Sequence, residues 1–561
     1  MSSAPLATIE QQLAARINDT IGRLWPESAH LVPNPEVAVP REAGHGDYST
    51  NAAMLLAKAL KKNPREFAGA LAEELKKSDD LLDGVEVAGP GFINLTLSRT
   101  VLNDTLKRVL AEGSAYGCSN AGLGERLQVE FVSANPTGPL NVVNARAAAF
   151  GGTLARLFNA AGWKCDTEFY VNDVGTQIDL LGQSLLARYR ESKGGGPAVI
   201  PENGYQGLYL ADIAGELKGP DVDAALAKPN DTAIAADFSK IATARIRAWQ
   251  KGDLARYGTE FDRWYLQSEL YPEAVQKTLA FIKERGYVVE KDGAQWLATT
   301  RFGDDQDRVL VRQTGEPTYF LADIAYHVDK HNRGYAHVID IWGPDHHGHI
   351  PRMQAGMEIL GYGRDWLEVI IVQQVNLLSA GQPVKMSKRA GELVTLSDLV
   401  DDVGKDTAIF FFLMRRASSH LDFDLDVARK TSDENPVYYV KYAHARIASL
   451  LRKAVESSQP GANDPAAGES SLLTHSTELD LMRLITRLPE VIVGGARHRE
   501  PHRLTNYLRE VASAFHPFYH QCRVVGEEPK LAHARLLLCA AVKQVLANGM
   551  ALINVDAPES M

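Results

Sequence analysis

A strand-like run, Leu127-Gln128-Val129-Glu130-Phe131-Val132, stops at an Asn-Pro-Thr-Gly turn and is followed by a helical segment from Arg146 to Ala161. A second strand-like run lies near Phe169-Tyr170-Val171. Strand, turn and helix in that order mark a βα unit of a parallel sheet. Such a sheet needs more strands. His337-Val338-Ile339-Asp340-Ile341-Trp342, which halts at Gly343-Pro344, supplies one candidate, and Val369-Ile370-Ile371-Val372 supplies another. Residues 125–430 are therefore expected to form one α/β domain.

The flanks follow other patterns. A chain of 561 residues is expected to hold three or four domains. Residues 1–112 read as an α+β module. Ile9, Leu13, Ile17, Ile21 and Leu24 recur at helical spacing, and two short strands flank Gly89-Pro90-Gly91. The stretch 112–124 reads as a linker. Residues 190–235, rich in Gly, Pro, Asp and Ala, mark an insertion of about 190–250. From 437 to 561 the pattern is helical, with Leu504, Tyr507, Leu508, Val511 and Phe515 on one stripe. The polar run 456–471 reads as a surface loop within it.

Composition narrows the function classes. The first residues lack the basic start and apolar run of a secretion signal. No run of 18 apolar residues occurs, so no membrane span is expected. Cys118, Cys165, Cys522 and Cys539 form no CxxC, which fits a reduced, cytoplasmic protein without a disulfide framework or zinc ribbon. A net charge of −10 argues mildly against nucleic acid, but a basic groove is a local property.

Five clusters carry chemistry. Lys385-Met386-Ser387-Lys388-Arg389 sits in a Gly- and Pro-flanked loop, where two ammonium groups could meet a triphosphate; a solvated basic turn has the same composition. Glu130 to Leu140 ends a strand where open α/β sheets bind ligands, although Asn-Pro and Thr-Gly also make ordinary turns. Tyr319 and Asp323 share a helical face, a ring and a carboxylate suited to a guanidinium. Asp345-His346-His347-Gly348-His349 could be a metal site by composition alone. Tyr438, Tyr442 and Arg446 fall on one helical face able to stack on bases and meet phosphates, while Tyr439 reads as core.

Taken in order, these segments resemble the arginyl branch of the class I aminoacyl-tRNA synthetases over essentially the whole chain. Lys385 to Leu399 resembles its KMSK loop, and Glu130 to Leu140 is similar to its substrate segment. Trp342 to His347 looks like its Trp-Gly-x-Asp-His-His run, which holds no metal. His45-Gly46-Asp47-Tyr48, Asn51 and Pro90 to Asn94 look like its extra N-terminal domain. The resemblance implies a multidomain α/β plus all-α protein. Its parts are an N-terminal α+β module at 1–112 that touches the tRNA elbow, a Rossmann-like parallel-sheet catalytic domain at 125–430 and a helical anticodon-binding domain at 437–561.

It further implies that arginine, ATP with Mg2+ and the tRNA for arginine are the substrates, and that the chain acts as a monomer. Arginine is expected at Glu130, Ser133, Asn135, Tyr319 and Asp323. ATP is expected at Pro139, Asn141, Asn144, Asp345, His347, Met386 and Ser387, with Lys385, Lys388, Asn141 and Asn144 stabilising phosphate charge. The tRNA is expected at Asn51, Phe92, Tyr438, Tyr442, Arg446 and Met561.

One element departs from the pattern. The class signature His-x-Gly-His is here Asn141-Val142-Val143-Asn144. Asn can donate hydrogen bonds but carries no charge, and charge-assisted bonds are about twice as strong. The helix N-terminus behind it should still offer backbone N–H groups to phosphate. A working ligase is the favoured reading because the arginine segment, the Lys loop and both tRNA modules are intact. The rival is an impaired, synthetase-like tRNA-binding or regulatory protein. A class I synthetase for another amino acid is disfavoured by Asp323, which asks for a cationic side chain.

Overall fold

The computed structural model describes residues 7–32, 35–40, 44–77, 80–384 and 394–561. The chain divides into two units, one of Met1–Gly124, Leu157–Trp163 and Thr431–Met561, the other of Glu125–Arg156 and Lys164–Lys430.

The second unit is built on a parallel sheet of five strands: β1 (Arg126–Glu130), β2 (Lys164–Val171), β3 (Arg263–Leu266), β4 (His337–Trp342) and β5 (Leu367–Ile371), in the order β5-β4-β1-β2-β3. Residues 127–130 of β1 and 338–341 of β4 are buried without alternation, as expected for strands covered on both faces. Helix α1 (Val142–Ala160) crosses from β1 to β2, and α2 (Tyr319–Asn332) precedes β4. α1 packs closely on the end of β1. A Cβ at Gly151 would lie 2.2 Å from the Phe131 ring, so only glycine fits. Strand order reverses between β1 and β4, and ligand crevices open at such points.

The inserted segment is largely helical. Tyr209–Glu216, Pro220–Leu226 and Asp231–Arg256 pack on helix Thr176–Ser192 around Leu185, Leu210, Phe238 and Ile246. Its Gly and Pro residues punctuate short helices; they do not make the whole stretch irregular.

The first unit joins both ends of the chain. An antiparallel sheet orders its strands Val37–Ala38, Tyr48–Thr50, Phe92–Leu97 and Leu82–Ala88. Helices Ile9–Leu24, Ala52–Leu60, Pro64–Lys76 and Arg99–Glu112 belong to the same unit, as do α3 (Pro436–Glu456), Ser476–Thr486, Leu488–Arg497, His502–Gln521 and Pro529–Leu552. The stretch 112–124 is packed, which corrects its reading as a linker. Tyr116 is buried and its hydroxyl donates to Ile485 O at 2.8 Å, while Asn548 Nδ2 donates to Gly113 O at 2.8 Å and Tyr116 O at 2.9 Å. Pro529–Leu552 is 24 residues long and contains an 18-residue stretch with a mean hydropathy of 1.3, long and apolar enough for a membrane span. Here it is a central helix, with Leu536, Val542 and Leu546 fully buried.

Candidate active site

Beyond β1 the backbone enters the left-handed region at two non-glycine residues, Val132 at φ +68° and Ser133 at φ +38°. Each such residue costs about 1–3 kcal/mol, and a β-branched one is an outlier. Side-chain bonds hold this turn. Ser133 Oγ donates to Glu130 Oε1 at 2.9 Å and accepts from Tyr170 N at 3.1 Å. The hydroxyl keeps one lone pair for a ligand.

Below the turn, three carboxylates stand in register across neighbouring strands, Asp340 beside Glu130 and Glu130 beside Glu168. A polar stripe on α2 meets them. Lys330 Nζ reaches Glu130 Oε2 at 2.5 Å and Asp340 Oδ1 at 2.8 Å. The Arg333 guanidinium, just past the helix, grips Glu168 at 2.6 and 2.9 Å. The Tyr326 hydroxyl lies 2.8 Å from Glu130 and 2.5 Å from Glu168. His327 spans Asp323 O and Asp340 Oδ2. Burial alone raises the Asp340 carboxyl, but Lys330 and His327 overcome it and hold it at about 2. Burial raises Glu130, with Lys330 opposing and the neighbouring carboxylates adding.

One turn above this network, α2 presents Tyr319 and Asp323 to a cleft of about 690 Å³ at the carboxyl ends of β1 and β4. Burial pushes the Asp323 carboxyl up to about 7; His327 opposes, while Glu130 and Asp340 add. Tyr319 is 49% exposed, and its hydroxyl passes so close to Gly175 that a Cβ there would stand 2.5 Å away. Glu130, Ser133 and Asn135 line the same cleft, so the structure gathers all five expected arginine residues. Asn135 Nδ2 donates to Gln177 Oε1 at 2.9 Å, which leaves its oxygen as an acceptor.

Pro139, Asn141, Val143 and Asn144 form the adjoining wall. Asn141 Oδ1 accepts from Val143 N at 2.9 Å and Asn144 N at 3.1 Å, while Asn144 Oδ1 accepts from Asn141 N at 3.0 Å. This is a reciprocal cap. It uses two of the backbone donors expected to face phosphate, and it leaves the Nδ2 groups of both Asn as the donors.

Asp345, His346 and His349 line the cleft, whereas His347 is exposed and not among the lining residues. Lys385, Met386, Ser387 and Lys388 lie outside the described residues. The segment that follows them is anchored at the signature, since Leu396 N donates to Leu140 O at 2.7 Å and Thr395 bridges to Asn141.

Sequence reading missed Tyr326, His327, Lys330 and Asp340. Continuing the three-to-four spacing from Asp323 along α2 would have found the first three. It also missed Tyr170 and Asn172, which line the cleft. Tyr170 Oη and Asn172 Oδ1 are buried and bond no described residue.

The first unit holds the remaining expected residues. Tyr438 and Tyr442 on α3 stack at 6.2 Å and 10°, and Arg446 donates to the Tyr442 hydroxyl at 3.2 Å while lying 4.0 Å from the Tyr519 ring centroid. Tyr439 is half-buried against His516. The C-terminal tail is held to α3 through His444 and Pro558 O at 2.8 Å, and Met561 is exposed. Phe92 is exposed, and Asn51 Nδ2 donates to Glu36 Oε2 at 2.9 Å.

Known proteins bear on the whole chain. Residues 7–97 match the profile of the arginyl tRNA synthetase N terminal domain, 240–415 that of the class I (R) tRNA synthetase catalytic domain, and 440–561 that of the DALR anticodon binding domain. The arginine–tRNA ligase of Syntrophotalea carbinolica is 46% identical over 94% of this chain and 95% of its own length. That of Symbiobacterium thermophilum is 45% identical over 99% of both. The solved arginyl-tRNA synthetase of Thermus thermophilus shares the fold, with a TM-score of 0.76 and 20% identity over 99% of this chain and 100% of its own.

Proposed function

The chain belongs to the arginine–tRNA ligases, which are class I aminoacyl-tRNA synthetases, and on that premise we propose that the cleft between β1 and β4 holds arginine and ATP for arginine activation. The enzyme charges tRNA with arginine. The arrangement carrying the site reading is the Tyr319–Asp323 turn of α2, which sets one carboxylate and one ring at the mouth of a parallel sheet. A guanidinium pairs with Asp323 and stacks on Tyr319. The free lone pair of Ser133 and Oδ1 of Asn135 take the α-ammonium, while Glu130 holds Ser133 in place.

The arginine carboxylate then attacks the α-phosphorus of Mg-bound ATP. A new P–O bond forms, the bond to the β,γ-pyrophosphate breaks, and arginyl-adenylate results. The 2′-OH of the tRNA's terminal adenosine takes the arginyl group and AMP leaves. Nδ2 of Asn141 and Asn144, Lys385 and Lys388 are the donors for the charge that builds on phosphate, with Pro139, Asp345, Met386 and Ser387 around the nucleotide; His347, outside the cleft lining, is not assigned to it. Positioning and electrostatics carry the rate; no covalent enzyme intermediate is needed.

In the first unit, Tyr438, Tyr442, Arg446 and Met561 read the anticodon, and Asn51 and Phe92 meet the elbow. The module boundaries are 1–112, 125–430 and 437–561. The four free thiols fit a reducing cytoplasm, and a single chain holds every group named here.

The test is ATP–pyrophosphate exchange with purified protein, omitting arginine or tRNA in turn. Exchange that needs both, and an Asp323→Ala protein that no longer saturates with arginine, support the reading. Unchanged arginine affinity in Asp323→Ala would overturn the pocket assignment. No exchange, with tRNA binding retained, would favour the tRNA-binding rival.

A further inference from the structure

The turn that carries Asn135 and leads to Asn141 only partly satisfies itself, through Thr137 N, which donates to Asn135 O at 2.8 Å. It holds two prolines, Pro136 and Pro139, which lack N–H donors, and it leaves the sheet before any ladder can form. Further donors to its carbonyls come from the inserted segment. Gln250 Nε2 donates to Asn135 O at 3.1 Å and to Gly138 O at 2.9 Å. The Tyr209 hydroxyl donates to Thr137 O at 2.5 Å.

Gln250 is 1% exposed, and its amide oxygen accepts from no described residue, so its side-chain bonds among the described residues go to this turn alone. One turn further along the same helix, Asp253 Oδ1 accepts from Ser397 Oγ at 2.8 Å. Ser397 lies in the first turn of the helix Leu396–Val403, whose first N–H, that of Leu396, is already bonded to Leu140 O. One inserted helix therefore braces both ends of the segment that runs from Asn135 to the signature.

We propose that Gln250 is a positioning residue for arginine activation, its buried amide holding the Asn135–Gly138 turn in the shape that presents Asn135 and Asn141 to the substrates. This rests on the reading of the cleft given above. It assigns the insertion a part in the chemistry that does not require contact with arginine, ATP or tRNA. A side chain of equal size without the two donors leaves the Gly138 carbonyl unpaired, leaves Asn135 O with only the Thr137 N–H, and frees the turn to shift.

The experiment compares wild type with Gln250→Met, which keeps volume and helix propensity, and Gln250→Glu, which keeps shape but donates only when protonated. Arginine and ATP are each titrated in tRNA-dependent pyrophosphate exchange. Melting temperature and tRNA affinity are measured alongside.

Gln250→Met is expected to lower kcat/KM for arginine about ten- to thirtyfold, through KM, with tRNA affinity and melting temperature nearly unchanged. Gln250→Glu is expected to fall further at about pH 8 and to recover relative to wild type towards about pH 6, as the carboxyl regains its proton. Gln250→Met within twofold of wild type would overturn the proposal. So would a loss shared equally by tRNA affinity and melting temperature, or a Gln250→Glu deficit that ignores pH. Asn135→Ala is the control. If it leaves the arginine KM unchanged, the cleft reading has failed; if it raises KM while Gln250→Met does not, the positioning role has failed.

Discussion

Lys330 and Glu130, which are 200 residues apart in the chain, meet at 2.5 Å beneath the cleft, the ammonium fully buried and the carboxylate nearly so. The ammonium also holds Asp340, so one cation supports the ends of the two strands between which the cleft opens.

Removing that cation should unfold the catalytic unit more readily. Breaking one partner of a buried pair costs about 3–5 kcal/mol because the remaining charges stay buried and unpaired. Urea unfolding of Lys330→Met should show a loss of that order, and a change below about 1 kcal/mol would be incompatible with the network described. The Asp340 carboxyl, held at about 2, contributes stability that is complete above its unfolded value and is lost as pH falls towards 2.

Arginine affinity should depend on pH through Asp323. Its carboxyl lies at about 7 in the free protein, so it must shed a proton to pair with a guanidinium. Only the ionised fraction binds well, and the dissociation constant should fall about tenfold between about pH 6 and about pH 8. Calorimetric titration at several pH values, in buffers of different ionisation enthalpy, would reveal the released proton. A flat profile would contradict the assignment.

The same carboxyl should cost stability once ionised. A carboxyl raised above its unfolded value binds a proton in the folded state that the unfolded chain has lost, so stability declines as pH rises from about 4 to about 7. Asp323→Asn should therefore melt higher than wild type at about pH 8 while binding arginine at least a hundredfold more weakly. An Asn variant that melts lower at that pH would show that the carboxylate is compensated.

The Asn pair makes separable predictions. Asn141→Ala removes a cap and should cost about 0.5–2 kcal/mol. Asn141→Asp keeps the cap but loses the Nδ2 donor and adds a negative charge facing ATP. It should keep the wild-type melting temperature while the KM for ATP rises at least tenfold. Equal ATP kinetics in the Asp variant would show that the amide does not face phosphate.

Tyr442→Ala removes a ring stacked between Tyr438 and Arg446 at the surface of α3. Loss of one stacking platform should weaken tRNA binding by about 1–3 kcal/mol, read by filter binding, with arginine affinity untouched. Unaltered tRNA affinity would move the anticodon contact elsewhere.

Local spacing made much of this readable in advance. The βα unit at Leu127, the stripe from Ile9, the helical C-terminal region and the shared face of Tyr319 and Asp323 all follow from periods of two or 3.6 residues. The ordered motifs pointed to the family. Two readings failed for one reason. The 112–124 stretch looked like a linker, and the start of α1 seemed to offer free N–H groups, because composition does not show which distant or reciprocal partner will take a polar group.

The sequence by itself determined the elements, the family and the candidate arginine residues, since each of these is written in neighbouring positions. Only the tertiary structure decided that Asp340, Glu130 and Glu168 stand in one row, that α2 lays Lys330 against that row, and that Gln250 closes the turn at Asn135. Those pairings are set by strand register and helix packing. Register is a contact between segments, and no single segment carries it.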